Sequence, residues 1–136
     1  MPFLQLHTTH DLTPGTRAAL GFALADAYAT TMQTDRRIVT VGIVRYAEGD
    51  LVRYGTADRS AHGMTVVTCD GRTGRDDQTL ESLGREITNL ISQHLGVDPL
   101  RVAVYVTEHP SHQIYRDGGP APSWSPSEAG NEPSSA

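Results

Sequence analysis

A proline and two arginines are the residues of this chain whose types and positions favour one chemistry. Pro2 follows the first methionine and leads into a segment of alternating apolar residues that predicts a strand. Removal of the methionine would leave Pro2 with a free secondary amine at the end of that strand. A free α-amino group titrates at roughly 7.7–8.0, and burial beside cations would lower that pKa. Such an amine is suited to general acid–base catalysis.

The two arginines lie in the segment Arg72-Thr73-Gly74-Arg75, between a predicted strand and a predicted helix. Two guanidinium groups, free backbone N–H groups and the positive end of the helix dipole would converge there. Arginine forms paired hydrogen bonds with carboxylates, so the segment could hold the carboxylate of a small substrate. The alternative is a pair of solvated arginines that pair with nearby aspartates.

Other polar side chains carry weaker signals. The phenol of Tyr105, in a predicted strand, could donate to an oxygen or orient a water, and a structural tyrosine is the alternative. The six histidines form neither an HExxH motif nor a set of two histidines and a carboxylate. The single cysteine, Cys69, cannot form an internal disulfide or a cysteine-based metal site. We expect no metal and no cofactor.

The composition excludes several function classes. The chain has 136 residues, and its 11 basic residues are all arginine, so a Schiff base on a lysine is impossible. A net charge of -5 argues against nucleic acid as the main partner. No apolar run approaches the length of a membrane span, and the N-terminus does not resemble a signal peptide. We expect a cytoplasmic protein that contacts no membrane.

Two similar halves supply the elements that would position these residues. The first half predicts a strand, a helix, a second strand and a hairpin return, over residues 3–9, 14–32, 38–46 and 51–54. The second half predicts a strand, a helix and a strand, over residues 64–69, 76–95 and 101–107. A shift of 63 residues superimposes the apolar positions of the two halves, which indicates a duplicated β-α-β unit.

The predicted fold class is α+β, with a four-stranded sheet and two helices on one of its faces. The other face would be left uncovered, so we expect an oligomer. One folded domain would span residues 1–117, with units at about 2–54 and 64–117.

Residues 118–136 are predicted to form a flexible tail, because twelve of these nineteen residues are Gly, Pro or Ser. The only tryptophan, Trp124, lies in this segment. It is either a stray aromatic side chain or an anchor that docks the tail on a neighbouring surface.

These features together resemble the tautomerase superfamily, and within it the cis-3-chloroacrylic acid dehalogenases and their homologues. The resemblance covers about residues 2–117. It depends on Pro2 before a strand, the duplicated unit, the LTP segment at 12–14, the RxGR spacing at 72–75 and the VYV-x-E-x-P segment at 104–110. It implies a homotrimer without a cofactor.

The resemblance also implies functional roles. Pro2 would be the catalytic acid or base, and Arg72 and Arg75 would bind the carboxylate of a small enol, keto or unsaturated acid. Tyr105 would help to position water or substrate. The implied reaction is keto–enol tautomerisation, with hydration or weak dehalogenation as further activities.

Two positions depart from the dehalogenase pattern. Tyr28 stands where the dehalogenase has a histidine, and Arg116 stands where it has the water-activating glutamate, with Asp117 next to it. Tyr28, Arg116 and Asp117 could therefore shape the site, and efficient dehalogenation is doubtful. Asp35 lies near the aspartate of the related malonate semialdehyde decarboxylases, so decarboxylation of a 3-oxo acid is an alternative. A catalytically impaired binding or scaffold protein is another.

Overall fold

The computed structural model describes residues 2–53 and 64–131. Its main sheet has four strands, β1 Phe3–Thr8, β2 Thr40–Arg45, β3 Thr65–Arg72 and β4 Val102–His109, in the order β2-β1-β3-β4. Strands β1 and β2 are parallel, as are β3 and β4, and the central pair β1 and β3 is antiparallel. The α+β class and the two β-α-β units predicted from the sequence are confirmed.

The duplication extends to the ends of the helices. Helix α1, Pro14–Met32, and helix α2, Asp77–Leu95, have 19 residues each and begin 63 residues apart. Each is followed by a residue in the left-handed conformation, Gln33 after α1 and Gly96 after α2. This conformation lets the backbone satisfy the last carbonyls of a helix. The 63-residue shift therefore describes one supersecondary unit used twice.

Side-chain caps explain where the helices begin. The Thr13 hydroxyl accepts a hydrogen bond from the Thr16 backbone N–H at 3.1 Å. The Asp76 carboxylate accepts one from the Thr79 N–H at 2.8 Å, and these hydrogen bonds hold the pKa of Asp76 below its ordinary value. Each cap satisfies an N–H group that has no partner within the helix.

The hydrophobic core lies between the two helices and one face of the sheet. It contains alternate residues of the central strands and the inward faces of the helices, among them Leu4, Leu6, Val67, Cys69, Leu24 and Ile87. The opposite face of the sheet leaves Phe3, Val44 and Tyr105 exposed. This is the uncovered apolar face that the sequence predicts.

Two predicted segments differ from the structure. Strand β3 continues to Arg72 instead of ending at residue 69, so Arg72 closes a strand and does not lie in the following loop. Residues 51–53 form no strand, and Tyr54 lies outside the described residues, so the hairpin return is wrong for residues 51–53. The turn before it is present, because the Asp50 N–H donates to the Ala47 carbonyl at 3.0 Å.

The prediction of a flexible tail also differs from the structure over residues 118–131. Gly119–Pro120 forms strand β6, which pairs with β5, Tyr115–Arg116. A 3-10 helix follows at Pro126–Asn131. Composition alone favoured disorder because it does not register the long-range contacts of individual tail residues, which are described below. Here "the tail" means residues 118–131.

Candidate active site

Pro2 is buried at the start of β1, and its carbonyl accepts a hydrogen bond from the Thr40 N–H at 3.0 Å. Leu4 of β1 pairs with Cys69 of β3 in antiparallel register. The same register, continued by two residues, brings Pro2 beside Gly71. Leu4 and Cys69 both face the helices, and side chains two positions apart share a face, so Pro2 lies on the helix-covered side of the sheet.

The row that begins with Pro2 continues onto β4. Gly71 pairs with Glu108 in parallel register. Glu108 follows Val104 and Val106 in the alternation of β4, and both valines pack against the core. Pro2, Gly71 and Glu108 therefore lie in one row across three strands, with the glycine between two side chains that could do chemistry.

Tyr28 of α1 lies above this row. Its side chain is almost fully buried, and a Cβ atom at Gly71 would collide with its hydroxyl oxygen. Burial raises the pKa of Tyr28 to about 12, although the positive charges of Arg75 and Arg72 act in the opposite direction. The phenol is therefore protonated at neutral pH and can donate a hydrogen bond near Pro2 and Gly71.

Glu108 is a candidate site residue that the sequence did not lead us to predict. Its Oε2 atom is buried, and no hydrogen-bond partner for it is found among the described residues. Its charge acts on both Tyr28 and Arg75. A buried carboxylate oxygen without a protein partner is unusual, because leaving it unpaired is unfavourable. The sequence did contain a signal for it: Glu108 follows Val104 and Val106 at alternate positions of β4, so it was predictable that all three side chains share one face of the sheet.

Arg72 is buried to 2% exposure and holds a carboxylate that belongs to the chain itself. Its Nη2 donates to both Glu128 oxygens, at 2.8 Å to Oε1 and 2.6 Å to Oε2. Its Nη1 donates to the Pro122 carbonyl at 2.8 Å. Arg72 therefore binds a carboxylate of the tail, whereas the sequence prediction assigned it the carboxylate of a substrate.

Arg75 is engaged mainly by backbone. Its Nε donates to the Met32 carbonyl at 3.0 Å and its Nη1 to the Arg72 carbonyl at 2.9 Å. Its Nη2 donates to the Thr34 hydroxyl at 2.9 Å, and that hydroxyl donates to Glu128 Oε2 at 2.9 Å. Burial lowers the pKa of Arg75, which is opposed by the nearby Tyr28. Arg75 therefore holds the end of α1 and reaches the carboxylate only through Thr34. The alternative prediction, two solvated arginines that pair with nearby aspartates, does not describe Arg72 or Arg75, because Arg72 is buried and Arg75 is half-buried.

Trp124 anchors the tail on this arginine. The guanidinium carbon of Arg75 lies 4.1 Å from the centroid of the indole ring, which is a cation–π contact. The indole N–H donates to the Gln33 carbonyl at 3.0 Å. Gly74 leaves room for the ring, because a Cβ atom there would lie 2.8 Å from it. Of the two sequence interpretations of Trp124, the structure supports the anchor.

Three predicted site residues do not join this cluster within one chain. Tyr105 is 61% exposed and lies on the opposite face of the sheet from Glu108. Arg116 is mostly buried in the β5–β6 hairpin, where it lies 3.8 Å from Asp117, and no partner for its Nε is found in the described ranges. Asp117 is an exposed turn residue with φ of 53°.

The remaining surroundings give little further chemistry. A pocket of about 330 Å³ lies between α1 and the tail and shares Thr34 with the arginine cluster. Within residues 2–53 and 64–131, no group of three or more His, Cys, Asp or Glu side chains could hold a metal ion. In the same ranges no helix is long and apolar enough to cross a membrane.

The duplication does not extend to the site. The positions 63 residues before Arg72 and Arg75 hold Thr9 and Leu12, and the position 63 residues after Pro2 holds Thr65. Pro2, Arg72 and Arg75 therefore have no counterparts at the equivalent positions of the other unit.

Comparisons with known proteins agree with this architecture. The family model described as "Tautomerase enzyme" matches residues 66–120. N1, a member of the cis-3-chloroacrylic acid dehalogenase family, superimposes with a TM-score of 0.81 at 24% identity, over 89% of this chain and 84% of that chain. The Q0 fused 4-OT, described as a symmetric trimer, gives 0.78 at 25% identity, over 88% and 94%. A comparison with curated protein sequences gives no match.

A further solved structure shares the fold at lower identity. The FG41 malonate semialdehyde decarboxylase, inhibited by 3-bromopropiolate, gives a TM-score of 0.73 at 18% identity over 97% of this chain and 98% of that chain. The fold defines a protein of two β-α-β units. The family match over residues 66–120, in the second unit, and the solved structures that share the fold, among them a cis-3-chloroacrylic acid dehalogenase family member, support a relationship to the tautomerase superfamily.

Proposed function

We propose that this chain is a tautomerase-type enzyme that uses the amine of Pro2 as general acid and base on a small enol, keto or unsaturated carboxylic acid. The observation that carries the proposal is the burial of Pro2 beside Gly71, the glycine that the Tyr28 hydroxyl covers and that immediately precedes Arg72 in the chain. The proposal requires removal of Met1, because only then is the proline nitrogen an amine.

The keto–enol step needs no other reactant. Neutral Pro2 takes the hydroxyl proton of an enol acid and returns a proton to carbon, so an O–H bond breaks and a C–H bond forms. Arg72 holds the carboxylate and stabilises the negative charge that develops on the enolate. The protonated Tyr28 phenol donates to the oxygen where that charge accumulates.

Hydration of an unsaturated acid is a second candidate, which the unpaired Oε2 of Glu108 favours. In that reaction Glu108 takes a proton from a water molecule while the oxygen of that water bonds to one carbon of the double or triple bond. Protonated Pro2 gives a proton to the neighbouring carbon. Glu108 would supply a carboxylate in a chain that has Arg116 at the position of the dehalogenase glutamate.

Decarboxylation is less well supported. Asp35, the residue near the decarboxylase aspartate, accepts hydrogen bonds from the Arg37 side chain at 2.6 to 3.0 Å. These bonds hold its pKa below the ordinary value. An aspartate bound in this way is a poor proton acceptor.

We further propose a homotrimer, as in the fused 4-OT structures described as trimers. The uncovered face of the sheet, with Phe3, Val44 and Tyr105, would form the interface. Tyr105 could then act on the site of a neighbouring chain, since it faces away from the site of its own chain. Arg116 and Asp117 would shape the site only through such an assembly.

Turnover tests the proposal most simply. Ketonisation of phenylenolpyruvate, followed by ultraviolet absorbance, should be lost in Pro2→Ala by at least about 100-fold, the lower range for a general acid–base group. Pro99→Ala is the matched control, because Pro99 begins a 3-10 helix in the second unit. Full activity of Pro2→Ala would exclude the mechanism.

A further inference from the structure

The carboxylate of Glu128 makes the contacts that a substrate carboxylate would make. Both of its oxygens lie within 2.8 Å of Arg72 Nη2, and Oε2 also accepts from Thr34. Charge-assisted contacts of this kind are the strongest hydrogen bonds that a carboxylate forms in proteins. Burial opposes the ionised form of Glu128, but the bonds from Arg72 and Thr34 outweigh it and lower its pKa. The occupant is therefore a true carboxylate at neutral pH.

The segment that presents Glu128 is held by a few separable contacts. The Pro122 carbonyl accepts from Arg72, and Trp124 stacks on Arg75. Glu128 itself remains 18% exposed on a short 3-10 helix. None of these contacts involves a residue of the hydrophobic core, so the segment can exchange with a free ligand without disturbing that core.

We propose that Glu128 is an intramolecular competitor that occupies the Arg72 site until a small carboxylate ligand displaces it. Displacement breaks the Arg72–Glu128 pair, replaces it with an Arg72–ligand pair and frees Trp124 to leave Arg75. The charge of the buried guanidinium stays paired in both states, so neither state leaves Arg72 without a counter-ion. The ligand class rests on the proposed function; the occupation of Arg72 by Glu128 does not.

The size of the effect follows from the tether. A group on a short flexible connection acts at an effective concentration in the millimolar range. Removal of the Glu128 charge should therefore tighten the binding of a free carboxylate by about 10-fold or more. The same change should lower KM for a substrate and leave kcat nearly unchanged, because Glu128 competes for the site and takes no part in proton transfer.

Trp124, the only tryptophan of the chain, reports the displacement directly. Titration with 2-oxobutanoate should shift its fluorescence to longer wavelength and saturate, whereas the uncharged 2-oxobutanamide should have no effect. Glu128→Gln should show the shifted emission without ligand and bind 2-oxobutanoate at least about 10-fold more tightly by calorimetry. Glu81→Gln is the matched control, because Glu81 pairs with Arg85 on the exposed side of α2.

The results separate this inference from the proposed function. If Glu128→Gln leaves the Trp124 emission and the affinity for 2-oxobutanoate unchanged, Glu128 does not compete for Arg72, even when Pro2-dependent turnover is present. Displacement of Trp124 by 2-oxobutanoate would support it even in a protein without turnover. Should Glu128→Gln fold poorly, Trp124→Ala removes the other anchor and must also tighten binding in calorimetry; weaker binding in that variant would contradict the inference.

Discussion

The Tyr28 hydroxyl fills the space that a side chain at residue 71 would need, so a helix residue and a strand glycine fit together above Pro2. This contact explains why β3 carries a glycine in its buried row, between Cys69 and the end of the strand. It also brings a protonated phenol to the point where the register of the sheet brings Pro2 and Glu108 nearest to each other.

Gly71→Ala should therefore destabilise the protein by about 1–3 kcal/mol, the usual penalty of overpacking. The collision involves the hydroxyl oxygen, and the ring carbon behind it is 3.4 Å away, an ordinary contact. The double variant Gly71→Ala with Tyr28→Phe should regain most of the lost stability in urea denaturation. Gly84→Ala, which meets open space in α2, should be neutral or stabilising. If the single and the double variant lose equal free energy of unfolding, the Tyr28 hydroxyl does not contact Gly71.

Glu108→Gln should separate the two candidate reactions. If Glu108 activates water, hydration of an acetylenic acid should fall by about 100-fold or more in kcat, with KM little changed, because Glu108 does not hold the carboxylate. Ketonisation, which needs only Pro2, should be largely retained. Glu86→Gln on the exposed side of α2 is the control. A rise in KM alone would make Glu108 a binding residue.

The docking of the tail should depend on pH through Glu128. Its pKa in the folded protein lies below the ordinary value of 4.5, so the stabilisation is complete above that value and is lost as pH falls through the folded pKa. Trp124 emission should stay constant from pH 7 to about 5 and shift only in more acidic solution. Glu128→Gln should show no such transition. A transition near neutral pH would assign the tail contact to another group.

The uncovered sheet face should make the protein trimeric. Val44 is an exposed apolar residue of β2 on that face, and a buried charge without a partner is strongly unfavourable. Val44→Glu should therefore reduce the mass seen by light scattering to that of one chain. Val52→Glu, an exposed position outside the sheet, is the control. A wild-type monomer would contradict the assembly.

Much of the fold was predictable because its signals are local or repeated. The cap at Thr13, the stop at Gly96 and the 63-residue shift determine the two helices almost to the residue. Tyr105 faces away from the core because the valines on either side of it in β4 pack against the core, and successive side chains of a strand point to opposite faces. These patterns depend on neighbours a few residues apart, which a single sequence displays.

The tail was not predictable for the opposite reason. Its structure depends on the pair of Arg72 and Glu128, 56 residues apart, and on the contact of Trp124 with Arg75. A composition rich in Gly, Pro and Ser lowers the expected apolar burial but does not register one carboxylate that meets a buried guanidinium. Glu108 was missed because its importance depends on the register between three strands.

The central claim is that Pro2 is a free, reactive amine in the site, and covalent labelling tests it most directly. The intact mass should correspond to the chain without Met1. Treatment with 2-oxo-3-pentynoate should then add one molecule per chain, and peptide mass spectrometry should locate it on Pro2. Glu128→Gln should react faster, and Pro2→Ala should not react at the N-terminus. A retained Met1, or a label on other residues with Pro2 unmodified, would contradict the account.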